Sequence, residues 1–376
     1  MAALKMMATP IKFGPVEIKN RFIVSPMVMN CCNEDGTATE KYIAYHEEKA
    51  KGGWGLIVTE DYAVDPSGRT YQYLPGLWGD YQIASHKELT ERVHAAGAKI
   101  YAQIFHGGRQ TEEWIIGQQV WAPSAIPCPV KKALPHEMTT QEVEEMVEKF
   151  GDAALRAKKA GFDGVQIHGG HGYLVCEFAS AYSNKRIDKY GGNLVNRMRF
   201  PVEIIQNIRK KCGEDFGIDY KISGEECAPG GTNIEDTKAM AIMLEEAGIH
   251  SLNVSVGVYE TWYMQVPPSV MGHGWIADYA AEIKKVVEIP VTTVGRVNDP
   301  LVAEGIIRSG KADACYMGRA SLADPHMPEK ALNGRFEDII QCMACLQGCT
   351  SKIDSGCHGQ CTLNPRTVRE DEVKIT

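Results

Sequence analysis

Residues 139–170 read TTQEVEEMVEKFGDAALRAKKAGFDGVQIHGG, and one structural unit is legible in them. The threonine pair Thr139/Thr140, with Glu142/Glu144 close behind, supplies a helix start. Ala160-Gly161 supplies the stop, because glycine enters the left-handed conformation that ends helices. GVQIHG (164–169) then reads as a short strand buried on both faces.

The unit recurs outward in both directions. Strand-like runs stand at 21–27, 55–60, 99–105, 164–169, 218–223, 251–257, 290–295 and 312–318. Helical stretches separate them at 39–51, 81–96, 140–160, 195–211, 233–247, 275–287, 299–309 and 324–333. Asn233 with Asp236 marks another helix start, and Gly97, Gly248 and Gly310 mark further ends. Eight strands alternating with eight helices imply a parallel sheet, and units of this length suit a closed (β/α)8 barrel. An open doubly wound sheet is the alternative, but no G-x-G-x-x-G occurs to mark a dinucleotide domain. Ile11–Phe13 and Val16–Ile18 around Gly14-Pro15 predict a small N-terminal hairpin. The one expected boundary divides a barrel, 1–337, from a cysteine-rich segment, 338–376.

Bulk properties narrow the function classes. The 376 residues are 44% hydrophobic, enough for a large core. The net charge of −8 and the lack of a Lys/Arg-rich run argue against nucleic acid or an anionic membrane. No apolar run reaches membrane-spanning length, and the first residues lack the apolar centre of a secretory signal, so a cytoplasmic location is expected.

In a barrel of this kind, reactive residues collect at the C-terminal ends of strands. The fourth strand ends in His168, His171 and Tyr173. Two imidazoles can donate to one oxygen, and a phenol can deliver a proton. The alternative is two loop histidines and a packed tyrosine. The third strand ends in Gln103, His106 and Arg109, where an amide could pair with the edge of a flat heterocycle. Gly295-Arg296 and Gly318-Arg319 end the seventh and eighth strands, where such barrels bind phosphate.

Together with NKRIDKYGGNLVNRMRF (184–200), these motifs resemble the Old Yellow Enzyme family of FMN oxidoreductases. The resemblance runs from about residue 10 to the end. It implies a barrel with FMN at its mouth. Ser25, Pro26 and Met27 would line the flavin, Gln103 would bond its edge, and Gly295, Arg296, Gly318 and Arg319 would hold its phosphate side. Lys221 stands where the family usually has arginine, keeping the charge but not the planar fork. His168 and His171 match the pair that grips a substrate oxygen, and Tyr173 matches the proton donor. The implied reaction passes a hydride from the flavin to the β-carbon of an α,β-unsaturated carbonyl compound. Tyr259, Trp262 and Tyr263 could wall the substrate or merely pack a long loop.

Seven of the twelve cysteines are scattered and expected to be buried free thiols. The other five crowd into QCMACLQGCTSKIDSGCHGQCTLNP (341–365). Cys342, Cys345, Cys349 and Cys361 suit zinc or a [4Fe–4S] cluster, and three close thiols with one distant favour iron–sulfur. Cys357, beside His358, is the spare. CTLNP after position 361 resembles the iron–sulfur subfamily that includes 2,4-dienoyl-CoA reductase, 2-enoate reductase and trimethylamine dehydrogenase. In that subfamily an FAD- and NAD(P)-binding region follows the barrel, and this sequence has no counterpart of it. The expectation is a separate FAD/NAD(P)H-binding subunit or ferredoxin-like electron donor, or else a longer parent polypeptide. Barrels of this kind commonly associate, so an oligomer is expected. An ene-reductase therefore leads two alternatives, an amine dehydrogenase of the trimethylamine dehydrogenase type and a non-catalytic electron-transfer subunit. Amine enzymes carry a tyrosine where His168 stands and a flavin-linked cysteine near Val28, and both departures weaken that alternative.

Overall fold

The computed structural model describes residues 4–373. Eight parallel strands close into a barrel in chain order. They are Phe22–Val24, Leu56–Ala63, Lys99–Phe105, Gly164–Gly169, Gly217–Ser223, Ser251–Ser255, Val291–Thr293 and Ala314–Tyr316. The eighth joins the first through Cys315↔Phe22 and Tyr316↔Ile23, so the open-sheet alternative falls away. Helices between strands cover the barrel, which explains why the second and fifth strands are buried along their whole length.

Local signals act where the sequence placed them. Thr139 and Asn233 each cap a helix, paired with Glu142 and Asp236 three residues on. Helix Thr140–Lys159 ends before Gly161 at φ +86°, and helix Ile234–Ala247 ends at Gly248 with φ +102°. Three expected helices come out differently. The stretch 195–211 divides at Met198 into Leu194–Arg197 and Arg199–Cys212, because Pro201 has no N–H for the Arg197 carbonyl. The 275–287 helix shortens to Ala277–Ile283, followed by an i→i+3 turn in which Val286 N–H reaches Ile283 O. The last helix starts at Met327, after a separate six-residue helix, Gly318–Ala323.

The hairpin Ile11–Phe13/Val16–Ile18 forms as expected. Its Phe13, Val16 and Ile18 pack with Ile23, Leu56, Tyr101 and Tyr316, stoppering the N-terminal end of the barrel. Above them, polar side chains fill the interior. Asp219 accepts from Ser251 Oγ (2.7 Å), Gln166 Nε2 (2.5 Å) and Tyr316 OH (2.8 Å).

The segment after residue 338 is mostly irregular and folds back on the open end. Gly359 N–H donates to Met29 O (3.0 Å) and Asn298 Nδ2 to Cys342 O (2.7 Å). Asn364 Nδ2 and Thr367 Oγ1 both reach Leu322 O, at 2.9 and 3.0 Å. Among the described residues, no helix is long and apolar enough to cross a membrane.

Candidate active site

A cavity opens at the C-terminal mouth of the barrel. Every residue assigned above to the flavin, the substrate oxygen or the proton lies on its walls: Ser25, Pro26, Met27, Gln103, His168, His171, Tyr173, Lys221, Gly295, Arg296, Gly318 and Arg319. Six strand ends and the turn after the fourth strand bring together residues nearly 300 positions apart in sequence.

His168 is the penultimate residue of the fourth strand and is buried. Its Nδ1 accepts the Gly170 N–H at 3.4 Å, so a neutral ring carries its proton on Nε2. His171 takes a left-handed backbone, φ +61°, held by its N–H to Ser223 Oγ (3.0 Å) and by Nε2 to Ser255 Oγ (2.7 Å). The two rings lie 5.0 Å apart, and the Tyr173 ring lies 4.7 Å from His168. Burial, and then the nearby Lys221 ammonium, hold both histidines well below their ordinary pKa, hence neutral. Burial raises the Tyr173 phenol, keeping its proton in place, and its hydroxyl meets Tyr259 OH at 3.2 Å.

Gln103 is anchored from below, its Nε2 donating to Gln166 Oε1 (2.5 Å), which links it to Asp219. Burial lowers the Lys221 pKa and raises that of Asp61, and the opposite charge of each partner counters the shift. The two arginines are engaged in a way the sequence did not indicate. Arg319 Nη1 donates to Pro267 O (2.9 Å), and Arg296 Nη1 to Ser269 O (2.6 Å) and to Met271 O. Both therefore staple the loop after the sixth strand across the cavity. Arg296 Nε and Asn298 Oδ1 are buried without partners there. Gly318 permits close approach, since a Cβ on it would lie 2.9 Å from Met27 Sδ.

Other expectations divide. Trp262 lines the cavity and Tyr259 backs Tyr173, but Tyr263 is exposed and does not line it. His106 packs against Ser67 Oγ (3.0 Å) and Arg109 faces Glu260 (3.6 Å), both off the cavity wall. The 184–200 stretch is a brace: Arg186 binds Pro123 O (2.9 Å) and Asp188, and Asp188 takes Thr140 Oγ1 (2.8 Å). Asp61, Tyr71 and Ser255 also line the cavity and were missed. The available signal for Asp61 was an acidic pair, Glu60-Asp61, closing an apolar strand.

The scattered cysteines are buried except half-buried Cys227. Cys342, Cys345, Cys349 and Cys361 line a second, smaller hollow, while Cys357 is exposed outside it. Ala344 (φ +55°) and Leu346 (φ +62°) turn the chain around it. Among the described residues, no three His, Cys, Asp or Glu side chains converge on a single point as for one metal ion. Arg319, Cys342, Ala344 and Cys349 border both spaces, so the hollow and the cavity share a wall.

Comparison with known proteins agrees with this architecture. The chain is 45% identical to an NADH oxidase of Thermoanaerobacter brockii, over 96% of this chain and 56% of that one. It is 38% identical to a cinnamate reductase of Clostridium sporogenes, over 98% of this chain and 59% of that one. The chain thus spans little more than half the length of these relatives. Its fold superposes on that of a 2-naphthoyl-CoA reductase in complex with 2-naphthoyl-CoA with a TM-score of 0.94. That match is at 32% identity and covers 98% of this chain and 58% of the other. Residues 7–338 match the family pattern, and with the closed barrel and its furnished mouth they identify the chain as a member of the NADH:flavin oxidoreductase / NADH oxidase family.

Proposed function

We propose that the protein is an FMN- and [4Fe–4S]-dependent ene-reductase acting on an α,β-unsaturated acid, thioester or ketone. The observation behind this is the convergence of His168, His171 and Tyr173 on one cavity with the five strand ends proposed for the flavin. The residues fit such a cofactor. Buried Arg296 Nε and Asn298 Oδ1 await partners on the cavity wall, and the glycine at 318 opens that wall. Ser25, Pro26, Met27, Gln103 and Lys221 would hold the ring system, and Gly295, Arg296, Gly318 and Arg319 the phosphate. FMN would supply the hydride for the β-carbon of the alkene.

The chain's own residues do the rest. His168, neutral with its proton on Nε2, donates to the substrate carbonyl oxygen, and His171 is its partner. Negative charge grows on that oxygen during reduction, and fixed donors in a dry site stabilise it most as it forms. Tyr173 delivers a proton to the α-carbon, and Tyr259 orients its hydroxyl. The cinnamate and 2-naphthoyl-CoA reductases among the similar proteins support a conjugated acid or thioester as substrate.

The cysteine hollow would hold the [4Fe–4S] cluster on Cys342, Cys345, Cys349 and Cys361, supplying single electrons. The four thiols lining one hollow and the spacing of the cysteines support this. The shared wall would bring the cluster beside the flavin. A separate FAD/NAD(P)H-binding partner or ferredoxin-like carrier would deliver the electrons, as would a further stretch of the same polypeptide.

The test is anaerobic. The iron-reconstituted, FMN-loaded chain is chemically reduced and offered enoates, enoyl-CoAs, enones and amines while its flavin spectrum is followed. Reoxidation by an alkene is expected. Bleaching of the oxidised protein by an amine would replace this function with amine oxidation. Silence with every compound would leave an electron-transfer subunit.

A further inference from the structure

The two ends of the Asn298 amide meet different fates. Asn298 follows the seventh strand and is buried, 7% exposed. Its Nδ2 donates to Cys342 O at 2.7 Å. Its Oδ1 finds no donor among the described residues. Turning the amide over is no remedy, since the Cys342 carbonyl would then face an oxygen. A buried acceptor is ordinarily satisfied, and leaving one bare is destabilising. Asn298 stands on the cavity wall, so the missing donor belongs to whatever fills the cavity there.

The neighbouring side chain narrows that occupant. Arg296, two residues earlier on the same wall, has the opposite lack: its Nε is a buried donor with no acceptor. A ligand that serves both carries an anionic oxygen beside a hydroxyl. The chain that joins a flavin ring to its phosphate carries both. At its other end Asn298 grips the first of the four clustered thiols' residues, Cys342, which borders the cavity and the cysteine hollow alike. A second bond ties the same loop to this segment, Gln341 Nε2 to Asp299 Oδ2 at 2.9 Å. That bond is exposed, and neither of its residues lines the cavity. One planar amide therefore reaches into both sites, and an amide held at one end loses its freedom at the other.

We propose that Asn298 is a positioning residue that couples the two cofactor sites: flavin bound in the cavity fixes its amide, and the fixed amide seats Cys342 for the iron–sulfur centre. This rests on the flavin and cluster readings above. Such a coupling is reciprocal, so the centre tightens flavin binding by the factor by which flavin tightens the centre.

The flavin-stripped whole chain is titrated anaerobically with FMN by equilibrium dialysis, once with its iron–sulfur centre reconstituted and once without. Wild type should bind FMN roughly five- to twentyfold more tightly with the centre in place, and Asn298→Ala should cut that difference below about twofold. Asn298→Asp, equal in size, keeps an acceptor toward the cavity but offers the Cys342 carbonyl no donor, and should uncouple the sites as fully. Gln341→Ala, which removes the exposed bond alone, should keep the wild-type difference. A second readout needs no variant. In iron-free wild type, FMN alone should slow hydrogen exchange across 340–346 severalfold. Equal FMN affinity with and without the centre in wild type would overturn the proposal while sparing both cofactor readings. So would a full difference surviving in the Asn298 variants, its loss in Gln341→Ala, or hydrogen exchange that FMN leaves unchanged. A wild-type chain that takes up no FMN, or no iron, would overturn the cofactor reading itself.

Discussion

Tyr173 is the residue on which the chemistry turns. If it delivers the proton, Tyr173→Phe should lower alkene turnover by roughly a hundredfold or more, with FMN binding unchanged. Equal turnover in the variant would remove it from that role. Glu60 makes a different prediction. Burial raises its pKa from 4.5 to about 8, so the folded state holds a proton that the unfolded chain releases. Wild-type protein should therefore lose stability relative to Glu60→Gln as pH rises from about 4.5 to about 8. The loss approaches about 1.4 kcal/mol per pH unit inside that window, and parallel thermal melts of the two proteins measure it. At this scale the sequence was informative wherever a residue type has few uses at a strand end: histidine pairs, Gly-Arg pairs, a lone glutamine. It was silent on Asp61, because an acid beside an acid reads as a solvated edge until the closed barrel buries it. It was also silent on what the two arginines hold, because their carbonyl partners lie in a loop of irregular course.

At the level of elements, capping boxes and terminal glycines were legible because they act over three or four residues. Thr139→Ala removes the side-chain acceptor for Glu142 N–H and should destabilise the fold by about 1 kcal/mol, read from denaturant melts. Elements set by tertiary contact were not legible. Helix Leu174–Ala179, only six residues long, begins where Leu174 N–H reaches His106 O at 3.0 Å. The two-residue strands at Trp121 and His136 pair only with each other. The loop over the cavity is the most consequential of these. With Arg296 and Arg319 as its fasteners, Arg296→Ala should raise hydrogen exchange across 267–274 severalfold in flavin-free protein. Unchanged exchange would mean that the loop is held by other contacts.

For the whole molecule, eight alternating units were enough to read the closed barrel, since alternation and burial of strands are global regularities of the sequence. The return of the last segment onto the mouth was not readable, because its hydrogen bonds go to backbone groups at Met29 and Leu322 that any sequence would offer. The cysteine assignment is tested here. Cys361→Ser should sharply reduce bound iron in anaerobically reconstituted protein, and Cys357→Ser should leave it intact. Equal losses would redraw the ligand set.

The returning segment has a mechanical consequence as well. Each ladder from the seventh strand round to the second joins through only two residue pairs, whereas the fourth and fifth strands share six. Asn298, Leu322, Met29 and Glu48, all gripped by the tail, lie along that thinly stitched arc. The tail is thus a clasp across the weakest seam of the ring, and anything that loosens its thiols should let the staves part there first.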